Sequence, residues 1–511
     1  MSLLKRQLPP DCLLDIFTHL KDDGSSLYSC VLVNRLWCRL VTPLLWSQPF
    51  ELSSEDRHIK IIKTYFSCLS DVDKKCLLDQ EVTLPDPRPF FNYPKYLKKF
   101  NSKKFGLAIN KWLTSKELTQ NVTNEILKLI FTRSDRLIDL GIVCIGNKYS
   151  PLSSMENSLL GKDHDSLFKL EMFNLTYRDE QDYRHSNQDD KAVSKLIEMM
   201  SRCATNIKHL RINILLWDDR HTISQIDETI SQLLLRQNNL ISFETTNFHH
   251  SLKIFSSLTS QASTLKELKL SSNFPFDVSF LQTLISLNSL ETLHLNSMSF
   301  THIPSQFTTH QLSIKNLHLI IPKLSSFEYL PILLSMISNN LQRLVLNGFI
   351  QKVLQDIIEH CPKIQELCIE TNSPLQRSFL KLLSSLNSLK YLELKRGKKI
   401  EFEWLKDDYI TQFSTSIPSS LLHLSLQSNI SIEPLKIILE KCQAKLTTLE
   451  LCKTHMQNED SNFINLLIDY EKKNSGLKRL RLSLVNYNDY EFKPRLEEIE
   501  YARKFFNVIL N

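Results

Sequence analysis

The residues best suited to hold a phosphate group are Gly141 and Gly146, which are followed by Asn147. A phosphate-binding loop needs a lysine directly after the second glycine and then a Ser or Thr for a magnesium ion. Asn147 occupies the lysine position, and no hydroxyl residue follows it. Only eight glycines occur in 511 residues, which leaves little for close backbone approach to phosphates. We therefore expect no nucleotide site and no cofactor.

Metal-binding and nucleophilic patterns are equally weak. His294 and His318 share a register in two predicted strands, but two histidines without a third ligand do not make a zinc site. Cys361 and Cys368 have the spacing of repeat-core or strand positions, so we predict no metal site. The Gly-x-Ser-x-Gly, His-Glu-x-x-His and nucleophilic-cysteine signatures are all absent from the sequence. The sequence thus predicts no catalytic residue and no enzyme.

A basic and aromatic cluster runs from Lys95 to Phe105 and includes Tyr96 and Phe100. Such interleaving could contact nucleic acid or act as an import signal, or it could be one helix with a buried side and a solvated basic face. The net charge of the chain is only +6, from 62 basic and 56 acidic residues. That balance is too small to predict nucleic acid as the main partner.

The length of 511 residues exceeds one ordinary core, so it predicts several domains or a repeat array. The composition predicts an ordered protein. Hydrophobic residues make up 42% of the chain and charged residues 23%. The sequence contains no run of 18 apolar residues, so we expect no membrane span, and the N-terminus lacks a secretory pattern. An odd number of cysteines, eleven, fits reduced thiols in the cytoplasm or nucleus.

Residues 8–46 contain three short helical patterns. Leu13, Ile16, Phe17 and Leu20 fall on one face of the first, Ser25 or Ser26 can cap the second, and Asn34 can cap the third. So small a unit cannot bury all of this apolar surface by itself, since one core below roughly 70–80 residues supplies little net stability. Part of the surface must therefore pack on the rest of the chain or on another protein.

This segment resembles the F-box motif from end to end, through Leu8-Pro9-Pro10, Leu14, Ile16-Phe17, Leu20, Leu27, Cys30, Val33 and Arg35-x-Trp37. It departs from the motif at Asp11-Cys12. The resemblance implies a face that binds a Skp-type adaptor and, through it, a cullin. The residues implied in or beside that face are Leu8, Pro9, Ile16, Leu20, Cys30 and Val33. The alternative is an ordinary three-helix cap whose apolar residues all face the next domain.

Most of the remaining chain repeats the pattern L-x-x-L-x-L. From Leu240 onward the first positions of the copies are 23 to 32 residues apart. The intervals resemble leucine-rich repeats, and most of the segments between copies have helical spacing. The resemblance implies a solenoid with parallel strands on a concave side and helices on the convex side, because each unit buries its apolar side against its neighbours. A doubly wound α/β domain is the alternative.

The predicted fold class is thus α/β, a three-helix F-box followed by a leucine-rich-repeat solenoid. The predicted domains are the F-box at 1–50, a mainly helical linker at 51–130, the solenoid at 131–493 and a capping helix at 494–511. The capping helix rests on the helical spacing of Ala502, Phe505, Phe506 and Ile509.

Strand residues between the repeated leucines should point to solvent on the concave side, since side chains alternate along a strand. Their mixed charges suit a protein or peptide partner. The alternative is that they only solvate an exposed face. The candidate target-binding residues are Arg343, Glu366, Glu370, Tyr391, Glu393, His423, Glu450, Arg479 and Arg481.

The combination resembles the substrate receptors of Skp–cullin–F-box ubiquitin ligases. This implies a non-catalytic subunit of the ubiquitin-conjugation pathway that holds an unidentified target protein near a separate transferring enzyme. The alternatives are an adaptor-bound scaffold that assembles or sequesters a partner without ubiquitylation, and an enzyme or inhibitor domain on the repeats. We expect no membrane partner.

Overall fold

In the computed structural model, the fold is described for most of the chain. The described residues are 8–78, 89–113, 115–145, 167–178, 187–215, 220–246, 252–271, 275–296, 299–300, 307, 309–321, 330–348, 353–371, 377–396, 407–427, 430, 432–453, 460–474, 476–484, 503 and 507–510. The chain divides into two compact units, Met1–Leu265 and Lys266–Asn511. Among the described helices, none combines the length and apolar character needed to cross a membrane.

The first unit begins with helices and continues as alternating strands and helices. Its first seven helices are α1 (Pro10–Thr18), α2 (Gly24–Val31), α3 (Arg35–Leu45), α4 (Glu55–Ser67), α5 (Asp71–Leu78), α6 (Ser102–Trp112) and α7 (Lys116–Arg133). Three further helices span Asn187–Cys203, Arg220–Leu235 and Leu252–Leu258, and short 3-10 turns span Tyr93–Tyr96, Leu167–Lys169 and Thr259–Gln261. The strands are β1 (Lys99–Asn101), β2 (Asp139–Ile145), β3 (Met172–Arg178), β4 (His209–Leu215) and β5 (Ser242–Thr246).

The sheet of the first unit is parallel, with β1 to β5 paired in chain order. Its first strand lies before the predicted start of the repeats at residue 131. Phe100 is buried in β1. The strand β1, which begins at Lys99, pairs with β2, which contains Leu140. The three residues of β1 are too few to show the alternation of a strand, so hydrophobic periodicity did not distinguish β1 from a helical linker.

The basic and aromatic cluster is divided among three elements, so the single helix that its spacing suggested as one alternative is wrong. Tyr96 lies in a 3-10 turn, Phe100 in β1 and Phe105 in α6. Both phenylalanines are buried, and their rings are 5.3 Å apart. Lysines of the cluster form ion pairs, including Lys99 Nζ with Asp139 Oδ2 at 3.2 Å. The cluster thus stabilises the first step of the sheet.

The second unit repeats a strand followed by a helix. Its strands are β6 (Glu267–Ser271), β7 (Pro275–Phe276), β8 (Thr292–Asn296), β9 (Ser299–Phe300), β10 (Asn316–Ile321), β11 (Arg343–Gly348), β12 (Glu366–Thr371), β13 (Tyr391–Arg396), β14 (His423–Gln427), β15 (Thr448–Lys453), β16 (Arg479–Leu484) and β17 (Asn507–Leu510). Its helices are Val278–Ser286, Leu330–Ile337, Leu354–His360, Arg377–Ser385, Asp407–Ser416, Ile432–Lys441 and Asp460–Asn474.

Parallel pairing runs through the strands of the second unit in the order β6-β8-β10-β11-β12-β13-β14-β15-β16-β17, and β7 pairs separately with β9. Equivalent leucines face one another across neighbouring strands, as Leu367 and Leu392 do. We call the three apolar positions of the L-x-x-L-x-L pattern the ladder positions. They are buried in each copy from Leu265 onward, and apolar helix residues such as Phe379 and Leu383 are buried with them. The predicted fold class, α/β with three N-terminal helices followed by parallel strand–helix repeats, is confirmed.

The C-terminal end differs from the predicted capping helix. Asn507–Leu510 form β17, parallel to β16, so the helix is wrong for these four residues; 494–502, 504–506 and 511 lie outside the described residues. A strand is favoured here because the edge of β16 offers backbone groups that a helix would leave unpaired. Val508 also buries its side chain beside Leu480.

Candidate functional site

The N-terminal helices are fixed by local caps. Asn34 Oδ1 accepts a hydrogen bond from the Trp37 N–H at 2.9 Å, which confirms Asn34 as the cap of α3. The cap of α2 is Asp23, not Ser25 or Ser26 as predicted. Its carboxylate accepts from both serine N–H groups and from both hydroxyls. A carboxylate one position before the helix satisfies more of the unpaired N–H groups than a serine inside it.

The Asp23 cap gives a testable pH dependence. Hydrogen bonds from Ser26 and Ser25 hold the pKa of Asp23 at about 2, below its ordinary 3.8. A carboxyl with a depressed folded-state pKa stabilises the fold above its unfolded pKa, and this stabilisation is lost as the pH falls through the folded value. Asp23→Asn should therefore remove the part of the pH dependence of stability that falls between about pH 4 and pH 2. Denaturation of both proteins followed by fluorescence measures it, and identical pH profiles would contradict the assignment.

A small apolar core joins the three helices. Leu13, Phe17, Leu27 and Val41 are buried together, and the Phe17 and Trp37 rings meet edge to face with centroids 4.9 Å apart. Gly24 lies so close to the Leu52 carbonyl that a side-chain carbon at this position would be 2.1 Å from that oxygen. Only glycine permits this close approach.

Several large apolar side chains of the same segment remain exposed. Relative exposures are 53% for Leu8, 38% for Leu14, 49% for Ile16, 51% for Tyr28, 70% for Leu32 and 56% for Val33. We call these six residues the helical patch. Exposed apolar side chains concentrated in one short segment indicate an interaction site, whereas scattered ones are ordinary. The expectation that this segment has apolar surface to spare is met.

The six residues implied by the F-box resemblance divide into two groups. Leu8, Pro9, Ile16 and Val33 are exposed, whereas Leu20 and Cys30 are half-buried against the core of the three helices. Their role in adaptor binding stays a prediction. The exposed Leu14, Tyr28 and Leu32 were not among the predicted adaptor-binding residues, although Leu14 belongs to the matching motif. Their exposure could have been predicted, because they lie outside the core positions of the helical patterns.

The three helices are joined firmly to the first strand. The Ser47 carbonyl accepts hydrogen bonds from Lys98 N and Lys99 N at 2.8 and 2.9 Å. The same paired bonds recur along the sheet, where Ile138 N and Asp139 N donate to the Lys98 carbonyl at 2.8 and 3.0 Å. The residues after α3 therefore supply the first carbonyl in this series of paired hydrogen bonds.

Aromatic rings reinforce this junction. Trp46 contacts Tyr65 and Tyr93, with ring centroids 5.5 and 4.1 Å apart. Phe50 is buried and meets Phe105 at 6.2 Å. Because rigid rings and paired backbone bonds resist bending, the helical patch has a fixed position relative to β1.

The second candidate surface lies on the sheet of the second unit. We call the strand residues that alternate with the buried ladder positions the open face. Register brings the predicted target-binding residues together, because Glu366 lies opposite both Arg343 and Tyr391, and Tyr391 lies opposite His423. All the predicted residues occupy open-face positions, and their role in target binding stays a prediction. The full set is Arg343, Glu366, Glu370, Tyr391, Glu393, His423, Glu450, Arg479 and Arg481.

Two of these residues are not solvent-exposed as predicted. Glu393 is 6% exposed and Glu450 is 8% exposed. Glu393 Oε1 pairs with Lys395 Nζ at 3.0 Å and accepts from Gln427 Nε2 at 2.8 Å. These partners cover and satisfy the carboxylate, as burial of a charge requires. Strand alternation gave the correct side of the sheet, but it could not show which neighbours fold over each side chain.

The two histidines singled out from the sequence meet as their register predicted. His294 lies opposite His318, and their Nδ1 atoms are 2.9 Å apart. Burial and the neighbouring His318 lower the pKa of His294 to about 4, and burial lowers the pKa of His318. Both rings are therefore neutral at pH 7. Among the described residues, no group of three or more His, Cys, Asp or Glu side chains could hold a metal ion.

Comparisons with known proteins support the N-terminal assignment. Residues 6–51 match the F-box-like family model. No curated protein matches the sequence. Among solved structures, the crystal structure of the Rad7 and Elc1 complex in yeast has a chain 13% identical to this one, with a TM-score of 0.37. The match covers 80% of this chain and 96% of the other.

Proposed function

We propose that this chain, an F-box-like domain followed by leucine-rich repeats, is the substrate-recognition subunit of a Skp–cullin–F-box ubiquitin ligase. The observation that carries the proposal is the helical patch, since it lies within the segment that matches the F-box-like family. In this proposal the patch docks on a Skp-type adaptor, and the adaptor connects the chain to a cullin.

The proposed mechanism is proximity. The open face holds a target protein, and a separate enzyme transfers ubiquitin to a lysine that is kept nearby. Holding two reactants together raises their effective concentration by a large factor without a catalytic side chain on the receptor. The paired hydrogen bonds to the Ser47 carbonyl and the ring contacts of Trp46 support this role, because they fix the F-box-like domain to β1.

Co-purification with and without proteasome inhibition tests the proposal. The full chain is tagged and expressed with a Skp-type adaptor, and its partners are quantified by mass spectrometry. A receptor's targets should accumulate when the proteasome is inhibited and should carry ubiquitin. A partner that binds equally under both conditions and carries no ubiquitin would identify an adaptor-bound scaffold instead. Failure to recover any Skp-type adaptor would overturn the proposal.

A charge reversal on the open face should weaken target capture. Glu366→Lys combined with Glu370→Lys places two cations on β12, beside Arg343 and Lys395 of the neighbouring strands. Like charges placed on adjacent strands repel, and reversed charge disfavours a partner selected by the native pattern. Affinity mass spectrometry should show depletion of the targets while the adaptor remains bound. Unchanged partner lists would remove the open face from the proposal.

A further inference from the structure

A cavity of about 490 Å³ opens on the second unit's open face between β6 and β13. Its apolar lining includes Ile320, Val345 and Cys368, and its polar lining includes Arg343 and Glu370. The volume is in the range of small-molecule sites, so it has room for one long side chain. Ile320 and Val345 are half-buried on a face that is mostly polar, and they offer contact for an alkyl chain.

The charges around this cavity do not balance. The open face of β6 to β13 carries four carboxylates and three permanent cations, the latter being Lys269, Arg343 and Lys395. Each cation already has an acidic partner: Lys269 pairs with Glu267 at 2.8 Å, Arg343 with Glu366 at 3.4 Å and Lys395 with Glu393 at 3.0 Å. Among these described strand residues, four carboxylates against three cations leave one negative charge unmatched.

The unmatched charge lies on Glu370. This half-buried residue has neither an ion pair nor a side-chain hydrogen bond within the described part of the chain. Lys395 lies opposite Glu370 in the register, but its Nζ is directed to Glu393. If Lys395 moved to Glu370, it would leave the buried Glu393 carboxylate without its cation, so one carboxylate remains unmatched in either arrangement.

The other titratable groups lining the cavity do not change this balance. His294 and His318 share a hydrogen bond between their Nδ1 atoms and are neutral at pH 7. Burial raises the pKa of the Cys368 thiol to about 12, so this group is also neutral. Within the described residues, the cavity therefore combines an apolar surface with one excess carboxylate.

We propose that this cavity receives a lysine or arginine side chain of the target protein. The inference rests on the proposed function, in which the open face binds a target. The alkyl stem of the basic side chain lies against Ile320 and Val345, and its cationic end pairs with Glu370. Long basic side chains commonly combine these two contacts, since the stem is apolar and only the tip is charged.

Oriented peptide libraries provide the test. Nonapeptides with degenerate flanks carry a fixed central Lys, acetyl-lysine, Arg, citrulline or Glu, and their binding to the purified full-length chain is measured at equal concentration. Acetyl-lysine and citrulline keep the length of Lys and Arg but remove the charge. Lys and Arg libraries should bind about tenfold better than their neutral counterparts, as is typical of a hydrogen-bonded charge in a partly buried site.

A matched pair of variants separates the cavity from general electrostatics. Glu370→Gln should remove the preference for Lys and Arg, whereas Glu291→Gln, which makes the same change in net charge outside the cavity, should retain it. Glu291 pairs with Lys315 at 3.2 Å and does not line the cavity. Unfolding curves of both variants should match that of the native chain.

Three results would overturn the inference. These are no preference for the charged libraries, an equal loss in both variants, and stronger binding of the Glu library, which would assign the cavity to an acidic side chain through Arg343. Ile16→Asp, which tests adaptor docking, should leave the peptide preference unchanged. Failure of the proposed function and failure of this inference are therefore distinguishable.

Discussion

Replacing Ile16 with Asp should abolish co-purification of the chain with a Skp-type adaptor. Ile16 is 49% exposed on α1, within the sequence that matches the F-box-like family. Truncation of a central apolar anchor typically costs about 2 kcal/mol or more of binding free energy. Aspartate adds the cost of removing a carboxylate from water with no partner in an apolar contact. The amount of adaptor recovered with the tagged chain measures the effect.

The matched control is Leu235→Asp. Leu235 is 58% exposed and lies at the end of the helix Arg220–Leu235, outside the F-box-like segment. The same type of substitution at a similarly exposed site should leave adaptor recovery unchanged. Neither substitution removes a buried side chain, so both proteins should keep the native circular dichroism spectrum. Normal adaptor binding by the Ile16→Asp protein would refute the proposed docking surface.

Replacing Leu424 with Ala should destabilise the repeats strongly. Leu424 is completely buried in β14, between Leu392 of β13 and Leu449 of β15 in the register. Removing a buried leucine side chain costs its transfer free energy and leaves a cavity, which together amount to about 2–5 kcal/mol. Each repeat is stabilised by its neighbours, so the loss should propagate to adjacent strands. Urea unfolding and hydrogen exchange of β13 to β15 measure the change.

Leu422→Ala is the control for that substitution. Leu422 belongs to the same repeat, two positions earlier, but 43% of its surface is exposed. The same chemical change should therefore alter the free energy of unfolding by well under half as much, since less apolar surface leaves the protein interior. Equal destabilisation by the two substitutions would contradict the assignment of the leucine ladder to the core.

The Glu370 experiment and the Leu424 experiment address different properties. Glu370 has no hydrogen-bond or ion-pair partner among the described residues, so its replacement should change recognition without loss of stability. Leu424 has no polar atom to offer a partner, and its replacement should change stability alone. If target binding fell in proportion to the loss of stability in both variants, the open face would have no specific role in recognition.

The sequence alone determined the repeats and the position of the F-box-like segment. The interval between leucines predicted the strands, because a parallel sheet with one buried side requires the same apolar spacing in each repeat. It also placed His294 opposite His318, since equal positions in neighbouring repeats must meet. Caps were less certain from the sequence, and Asp23 rather than Ser25 caps α2.

Tertiary structure decided which side chains are available. Within one helical face, Leu13 and Phe17 became core while Ile16 stayed exposed, because burial depends on where α3 packs and not on spacing alone. The short strand β1 and the terminal strand β17 formed because neighbouring strands offered unpaired backbone groups. The unmatched charge of Glu370 depends on ion pairs between other residues, because each described cation on the open face of β6 to β13 pairs with a different carboxylate. The distances between side chains of different repeats depend on rotamers and packing. The order of residue types along the chain does not specify either of them.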